Sequence, residues 1–409
     1  MSTGALPLRR NRDFHLLWAG QAVSALGSRA SSVAYPLLVL AITGSPAQAG
    51  VVGSAATVPF LLVQLPAGVL VDRVDRRRAM LACDAGRLCA LAGLAAAVAA
   101  GHAAVAVIAA VAFVEGCLGV TFDLAERGAV QALVPEAQLE SALAQNEARV
   151  RGAALAGQPL GGLLFGLGRV VPFAADAASY AVSLVTLAAI DRPFPASSGE
   201  REPRHALAEL SEGLRWLWGQ PFLRATTILV AGSNGLFQAV TLAVIVTARA
   251  HGASPGAIGL ILAGFGAGGL AGAAAAARVA VRLPAAAVVI GANWVWALLL
   301  PVVALVPRPA AIGAAAAGMA FVGPIWNVVI GSLDLRLTPA HLLGRVRAVH
   351  MTAAFGAIPL GSLTGGFLLD RLGPSATVWA LAAGMLGVAL AATASPAVRR
   401  PPATSPAAA

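Results

Sequence analysis

A chain of 409 residues that is 58% hydrophobic and only 11% charged, with a mean hydropathy of +0.80, lies far from the soluble range, where about 25% of residues are charged. Its formal charge of +10 does not point to nucleic acid, because all 28 cations are Arg and most fall in alternate connections between apolar segments. Cys83, Cys89 and Cys117 lie inside apolar segments, so they support neither a disulfide framework nor a paired-ligand metal site and read as buried packing residues.

In windows of about 19 residues the sequence rises through roughly twelve apolar crests, each long enough to cross a bilayer. The crests predict helices near 14–41, 47–71, 78–100, 103–125, 142–168 and 171–191, then 222–249, 255–277, 284–306, 309–333, 346–370 and 374–394. The basic N-terminus resembles the start of a signal peptide, but the apolar run continues past Arg29 to Ala41 without a convincing cleavage site, which predicts a retained first helix. Residues 1–191 and 222–394 are therefore expected as two six-helix halves of an all-α polytopic membrane protein. Between them, residues 192–221 start as a flexible Pro- and Ser-containing stretch and continue into an amphipathic segment, Leu207 to Trp218, expected as an interfacial helix. The tail, 395–409, is dominated by Pro and Ala and expected to be disordered.

The two halves echo each other. Pro135 precedes the pair Gly161-Gly162 by 26 residues, and Pro339 precedes Gly365-Gly366 by the same 26. Two parallel six-span halves are the plan of major facilitator transporters. Arg9, Arg10, Arg12, Arg73, Arg76, Arg77, Arg78, Arg201, Arg204 and Arg215 fall on one side, with Arg278, Arg282, Arg336, Arg345, Arg399 and Arg400. The positive-inside rule makes that side, and both termini, cytoplasmic. The opposite connections carry only isolated cations such as Arg169, Arg249, Arg308 and Arg371.

Between helices 2 and 3 stands Gly68-Val-Leu-Val-Asp72-Arg73-Val-Asp75-Arg76-Arg77, which resembles the Gly-x-x-x-Asp-Arg-x-x-Arg-Arg signature of the major facilitator superfamily, with Asp75 where many members have Gly. A small residue at Gly68 suits close helix approach, and the Asp72 carboxylate suits a helix N-terminus. The resemblance implies a cytoplasmic conformational latch; a basic topology anchor is the plainer alternative. The matching second-half connection keeps Arg278 and Arg282 but has Ala at the Asp-equivalent place.

The chain further resembles the bacterial branch of that superfamily containing the enterobactin exporter and macrolide efflux proteins. The likeness rests on Arg9-Arg10-Asn11-Arg12-Asp13-Phe14 leading to Trp18 and Gly20-Gln21, on Asp84 with Arg87, and on Asp176-Ala-Ala-Ser179-Tyr180. Glu212-Gly-Leu-Arg-Trp-Leu before helix 7, and Pro339 with Gly344-Arg345-Val346 before helix 11, extend it over nearly the whole chain. Gly157-Gln-Pro159-Leu-Gly161-Gly162 is similar to the Gly-Pro-x-x-Gly-Gly element of exporters, with Pro159 displaced by one position; ordinary helix packing explains it equally well.

An uncompensated charge at mid-bilayer costs at least about 2.5–3.5 kcal/mol, so charges inside spans need partners or a cavity. Asp84 and Arg87, three apart, share a helix face and are expected as a structural ion pair. Asp123 and Asp176 lie near opposite helix ends, where gating or solvation suffices. Arg29 and Glu115 fall near mid-span. In the family, helices 1, 4, 7 and 10 line the central cavity, which makes Glu115 the proton-coupling candidate and Arg29 its charge partner or a substrate anchor. A permanent interhelical ion pair is the alternative. Asn234 and Gln238 on helix 7, with Trp326 and Asn327 on helix 10, are the cavity and substrate candidates, with interhelical hydrogen bonding as their plainer role.

The six histidines are scattered without metal-ligand spacing; His350 is expected to play a helix-end role. The absence of Lys rules out a Gly-x-x-x-x-Gly-Lys phosphate loop. The expected protein is a secondary transporter of the bacterial inner membrane and not an enzyme, with no cofactor and no metal. It exports a small amphipathic drug, siderophore or secondary metabolite against protons by alternating access. Its partners are substrate, protons and lipids, with no nucleic acid and a monomeric state. An uptake symporter, a transport-dead sensor and a polytopic membrane enzyme are the alternatives.

Overall fold

The computed structural model describes residues 8–192, 194, 206–306, 308–339 and 341–400, and within them every long element is a helix and no strand occurs. The chain divides into two compact units, residues 1–200 with 254–263, and residues 201–253 with 264–409.

In the first unit α1 (Arg12–Thr43) is followed by three short pieces, α2 (Pro46–Thr57), α3 (Pro59–Leu62) and α4 (Gln64–Arg73). The second expected helix is therefore broken. Pro59 and Pro66 each lack the N–H that an uninterrupted ladder needs there. Next come α5 (Arg76–Ala99), α6 (Val105–Leu133), α7 (Leu139–Leu167) and α8 (Val171–Ala188). Helix α1 packs on α7 and α8, α5 on α6 and α8, and α2 on α6.

The second unit begins, among described residues, with α9 (Ala206–Trp218), which covers the segment expected to be an interfacial helix. The preceding linker residues 195–205 lie outside the described residues. Then follow α10 (Pro221–Ala250), α11 (Pro255–Arg282), whose first residues group with the first unit, α12 (Ala285–Leu305), α13 (Pro309–Leu337) and α14 (Leu343–Ala394). Helix α10 packs on α14, and α12 on both α13 and α14. Within α14, Gly373 adopts φ 76° and ψ 172°, a left-handed φ open to glycine and costly for other residues, so the 52-residue run is two helices meeting at one residue. The tail expected from residue 395 is ordered at first: Ser395 caps α15 (Pro396–Arg399), where Val398 is fully buried, and residues 401–409 lie outside the described residues.

Among the described residues nine helices are long and apolar enough to cross a membrane, or ten when the bent pair Pro46–Leu62 and Pro66–Arg73 is taken as one span. Helix α7 falls short because its first half is charged and its second half is diluted by glycines, Gln158 and Pro159. Of the three cysteines expected to be buried, only Cys83 is; Cys117 is half-buried and Cys89 exposed.

The glycine pairs of the sequence repeat do matching work. On α7 a Cβ at Gly161 would stand 2.8 Å from the Cα of Ala30, and one at Gly157 would stand 2.5 Å from the Cβ of Arg29. On α14 a Cβ at Gly365 would stand 2.8 Å from the Cα of Ala239 on α10. Backbone approach of this kind is how membrane helices gain dispersion contact without a hydrophobic driving force. Gly161→Val should therefore overpack the α1–α7 seam and lose about 1–3 kcal/mol of stability. Gly166→Val, where an added Cβ meets nothing within 4 Å, is the matched control. Thermal melts of the two purified variants compare them directly, and equal melting temperatures would refute the seam argument.

Candidate functional site

Ser28 and Tyr35 are seven residues apart on α1, so at about 100° per residue they face within about 20° of each other. That face meets the middle of α6 and α8. The Tyr35 hydroxyl donates to Glu115 Oε2 at 2.7 Å, and the Tyr180 hydroxyl donates to Oε1 at 3.2 Å. Tyr180 also hydrogen-bonds Ser28 at 2.9 Å. The chain contains only two tyrosines, and both serve this one carboxyl.

A second cluster adjoins the first through Tyr180, whose ring lies 4.6 Å from the Arg87 guanidinium carbon, as does that of Phe122 on Arg87's other contact. Arg87 reaches Asp84 Oδ1 at 2.7 Å, so the expected i,i+3 pair is present and buried. Asp84 Oδ2 accepts from Ser183 at 2.5 Å, and Ser183 in turn accepts from Gln21 at 2.8 Å. Asp84, Ser183 and Gln21 thus tie α5, α8 and α1 through fully desolvated polar contacts, whose hydrogen bonds gain strength from the low local dielectric. Of the two roles expected for Asp176, gating or helix-end solvation, its burial removes the second: it is 0% exposed. Its Oδ1 accepts from Ser179 at 3.1 Å.

The structure does not bring Arg29 to Glu115. Arg29 is rotated by about 100° from Ser28 around α1, so it leaves the tyrosine-bearing face. It is exposed, its Cβ sits over Gly157 of α7, and among the described residues it makes no ion pair. The partners of Glu115 are hydroxyls instead. The two-tyrosine count and the seven-residue spacing from Ser28 to Tyr35 are signals in the sequence that charge complementarity with Arg29 overrode.

The motif between α4 and α5 is built differently from its glycine rationale. An added Cβ at Gly68 would meet nothing within 4 Å, so close helix approach is not what that glycine provides here. Asp75, the departure from the signature, caps α5 by accepting from Arg78 N at 2.9 Å. Arg77 donates from Nε to Leu187 O at 3.1 Å and from Nη2 to Ala188 O at 2.6 Å, bonding the last carbonyls of α8. The Arg76 side chain crosses Gly128 of α6, and Arg73 is exposed beside the half-buried Asp72.

In the second unit Asn234 donates to Ala354 O at 2.9 Å, holding α10 to α14. Gln238 is half-buried and Asn327 exposed. Trp326 is 2% exposed, and its indole N–H has no acceptor among the described residues. Its ring lies 6.2 Å from that of Trp296, which lies 6.4 Å from Phe237, itself 5.3 Å from Phe265. Four helices, α10 to α13, thus contribute one aromatic row that the sequence reading did not assemble. His350 hydrogen-bonds Thr227 at 2.9 Å. Among the described residues no three His, Cys, Asp or Glu side chains are grouped as metal ligands.

Comparison with known proteins places this architecture. A family model described as transmembrane secretion effector matches residues 2–407. The chain belongs to the transmembrane secretion effector family of the major facilitator superfamily. Members resembling it include the multidrug efflux pump Tap of Mycobacterium tuberculosis, 30% identical over 407 residues that cover 95% of this chain and 94% of the pump. The Tap pump of Mycolicibacterium fortuitum is 31% identical over 386 residues, covering 91% and 93%. The nucleoside transporter NupG has the same fold, with a TM-score of 0.76 at 11% identity, covering 93% of this chain and 98% of NupG. As a transmembrane secretion effector the protein is a bacterial membrane transporter, all-α and polytopic, that moves small molecules and performs no covalent chemistry. Six of the residues that carried the family likeness in the sequence, Gln21, Asp84, Arg87, Asp176, Ser179 and Tyr180, belong to the buried network.

Proposed function

We propose that the protein is a proton-driven exporter of small amphipathic molecules, drugs among them, working by alternating access in the bacterial inner membrane. Full-length likeness to multidrug efflux pumps supports the substrate class. The observation that carries the energy coupling is Glu115. It lies within a membrane helix, among the described residues no cation pairs with it, and two tyrosine hydroxyls hold it in place. Such a carboxyl can take up and release a proton while its position stays fixed.

The aromatic row from Phe265 to Trp326, with the free indole N–H and the side chains of Gln238 and Asn327, suits flat amphipathic substrates: rings stack, and one polar group finds a donor. Asn234 acts as a helix tie. Arg29, exposed on α1, is a substrate anchor in this scheme. Asp72 with Arg73, Arg76 and Arg77 forms the cytoplasmic latch. The two units are read as six-span halves, 1–191 and 222–394, joined by a cytoplasmic linker, in a monomer with both termini inside.

A panel of candidate substrates in proteoliposomes under an imposed pH gradient tests the function. Export that reverses when the gradient is reversed is expected, and gradient-independent flux would overturn proton coupling. Reporter fusions at each terminus test the orientation, and activity on the outer side from either terminus would overturn it.

A further inference from the structure

The buried charges of the first unit can be paired off. Asp84 is joined to Arg87 at 2.7 Å, Glu126 to Arg149 at 2.7 Å and Asp13 to Arg192 at 3.6 Å. Two acids of the network stand outside these pairs, the fully buried Asp176 and the half-buried Glu115. Among the described residues neither has a cation within ion-pair distance, and both are held only by hydroxyls.

Asp176 is the more secluded of the two. It is 0% exposed, and its Oδ2 is buried with no hydrogen bond of good geometry among the described residues. Ser179 satisfies Oδ1, Ser31 of α1 stands beside the carboxyl, and Gly27 leaves the space: a Cβ there would meet Asp176 Oδ1 and Ser179 Oγ at 2.5 Å each. The titratable groups around it are Tyr35 from α1, Arg87 from α5, Glu115 from α6 and Tyr180 on its own helix. Residues 152–167 of α7, which lead into α8, carry no charge, and Arg169 in the turn is exposed. The one cation near enough to act, Arg87, is already neutralised by Asp84.

A buried carboxylate without a cation or a full set of donors carries a desolvation cost that protonation removes. With two such groups in one network, ionising both adds mutual repulsion. We propose that Asp176 is a second proton-binding carboxyl, so that the first unit stores two exchangeable protons, one on Glu115 and one on Asp176. This rests on the proton-coupled reading of the network and extends it from one carrier to two. The proton of Asp176 moves as H⁺ between its carboxyl and water admitted during the cycle, with no bond to carbon made or broken and no electron transferred. Gly27, Ser31 and Ser179 are positioning residues for it.

Infrared spectroscopy of the purified full-length protein reads protonated carboxyl groups by their C=O stretch. At neutral pH the wild type should show components from both acids. Asp176→Asn should remove one of them, Glu115→Gln the other, and the double variant both. Labelling aspartate with ¹³C in the unmutated protein should shift the Asp176 component and leave that of Glu115, which requires no variant to fold. An unchanged band in Asp176→Asn, no shift on labelling, or a shifted component that survives Asp176→Asn overturns the proposal. Loss of the Asp176 component with none lost in Glu115→Gln would overturn the two-proton store, leaving Asp176 as its single site, while the coupling role of Glu115 is decided separately by accumulation under a pH gradient.

Discussion

Glu115→Gln is expected to abolish accumulation driven by a pH gradient while leaving substrate exchange intact. The amide keeps the volume of the carboxyl and an oxygen to accept from Tyr35 or Tyr180, so the packing of α1, α6 and α8 is retained. What it loses is the proton. Each proton moving down one pH unit contributes about 1.4 kcal/mol, which supports about a tenfold substrate gradient. The variant should therefore fall from at least about tenfold accumulation to equality across the membrane. Counterflow of labelled substrate against unlabelled substrate, which needs no proton, should continue. Wild-type accumulation by the variant would remove Glu115 from the coupling step.

Arg87→Met should give the largest loss of stability in the first unit. Removing one partner of a buried ion pair costs about 3–5 kcal/mol, because the other charge remains desolvated. Here Asp84 is 0% exposed and would retain only Ser183 as a donor. The contacts of Arg87 with the Phe122 and Tyr180 rings would be lost as well. Replacing both charges, Arg87→Met with Asp84→Asn, should recover much of the loss, since no unpaired charge is left. Melting temperatures of the single and double variants check this, and a double variant no more stable than the single one would show that the ring contacts dominate.

The helical, membrane-spanning character was legible because apolar runs of bilayer length are a coarse signal that survives local errors. The i,i+3 pair of Asp84 and Arg87 was legible for the same reason: both partners lie on one helix, and its geometry is fixed in advance. The partner of Glu115 was not. Choosing between Arg29 and Tyr35 requires the rotation of α1 about its axis, and α1 is apolar nearly all round, so no stripe marks the buried face. Charge complementarity favoured Arg29, whereas helix phase delivered Tyr35. Gly68 and Gly161 show the same limit. Both are glycines within family-like motifs, yet only Gly161 is pressed against a neighbouring backbone. The break at Gly373 and the fragmentation of α2 to α4 follow from single Gly and Pro residues, whose effect depends on whether surrounding helices tolerate the missing bond.

Helices α5 and α8 are fastened at two levels. Arg77 holds the carbonyls of Leu187 and Ala188 at the end of α8, and Asp84, about two turns along α5, holds Ser183 about one turn back along α8. Two fixings separated along a common axis suppress sliding and twisting together, where one would permit a pivot. This pair is therefore the natural frame of reference for the first unit. Probes placed on it should report a constant separation throughout the cycle, and displacement of any other segment is best measured from it. The pieces α2 to α4, interrupted at Val58 and Val63, are the segments whose travel such a ruler would reveal.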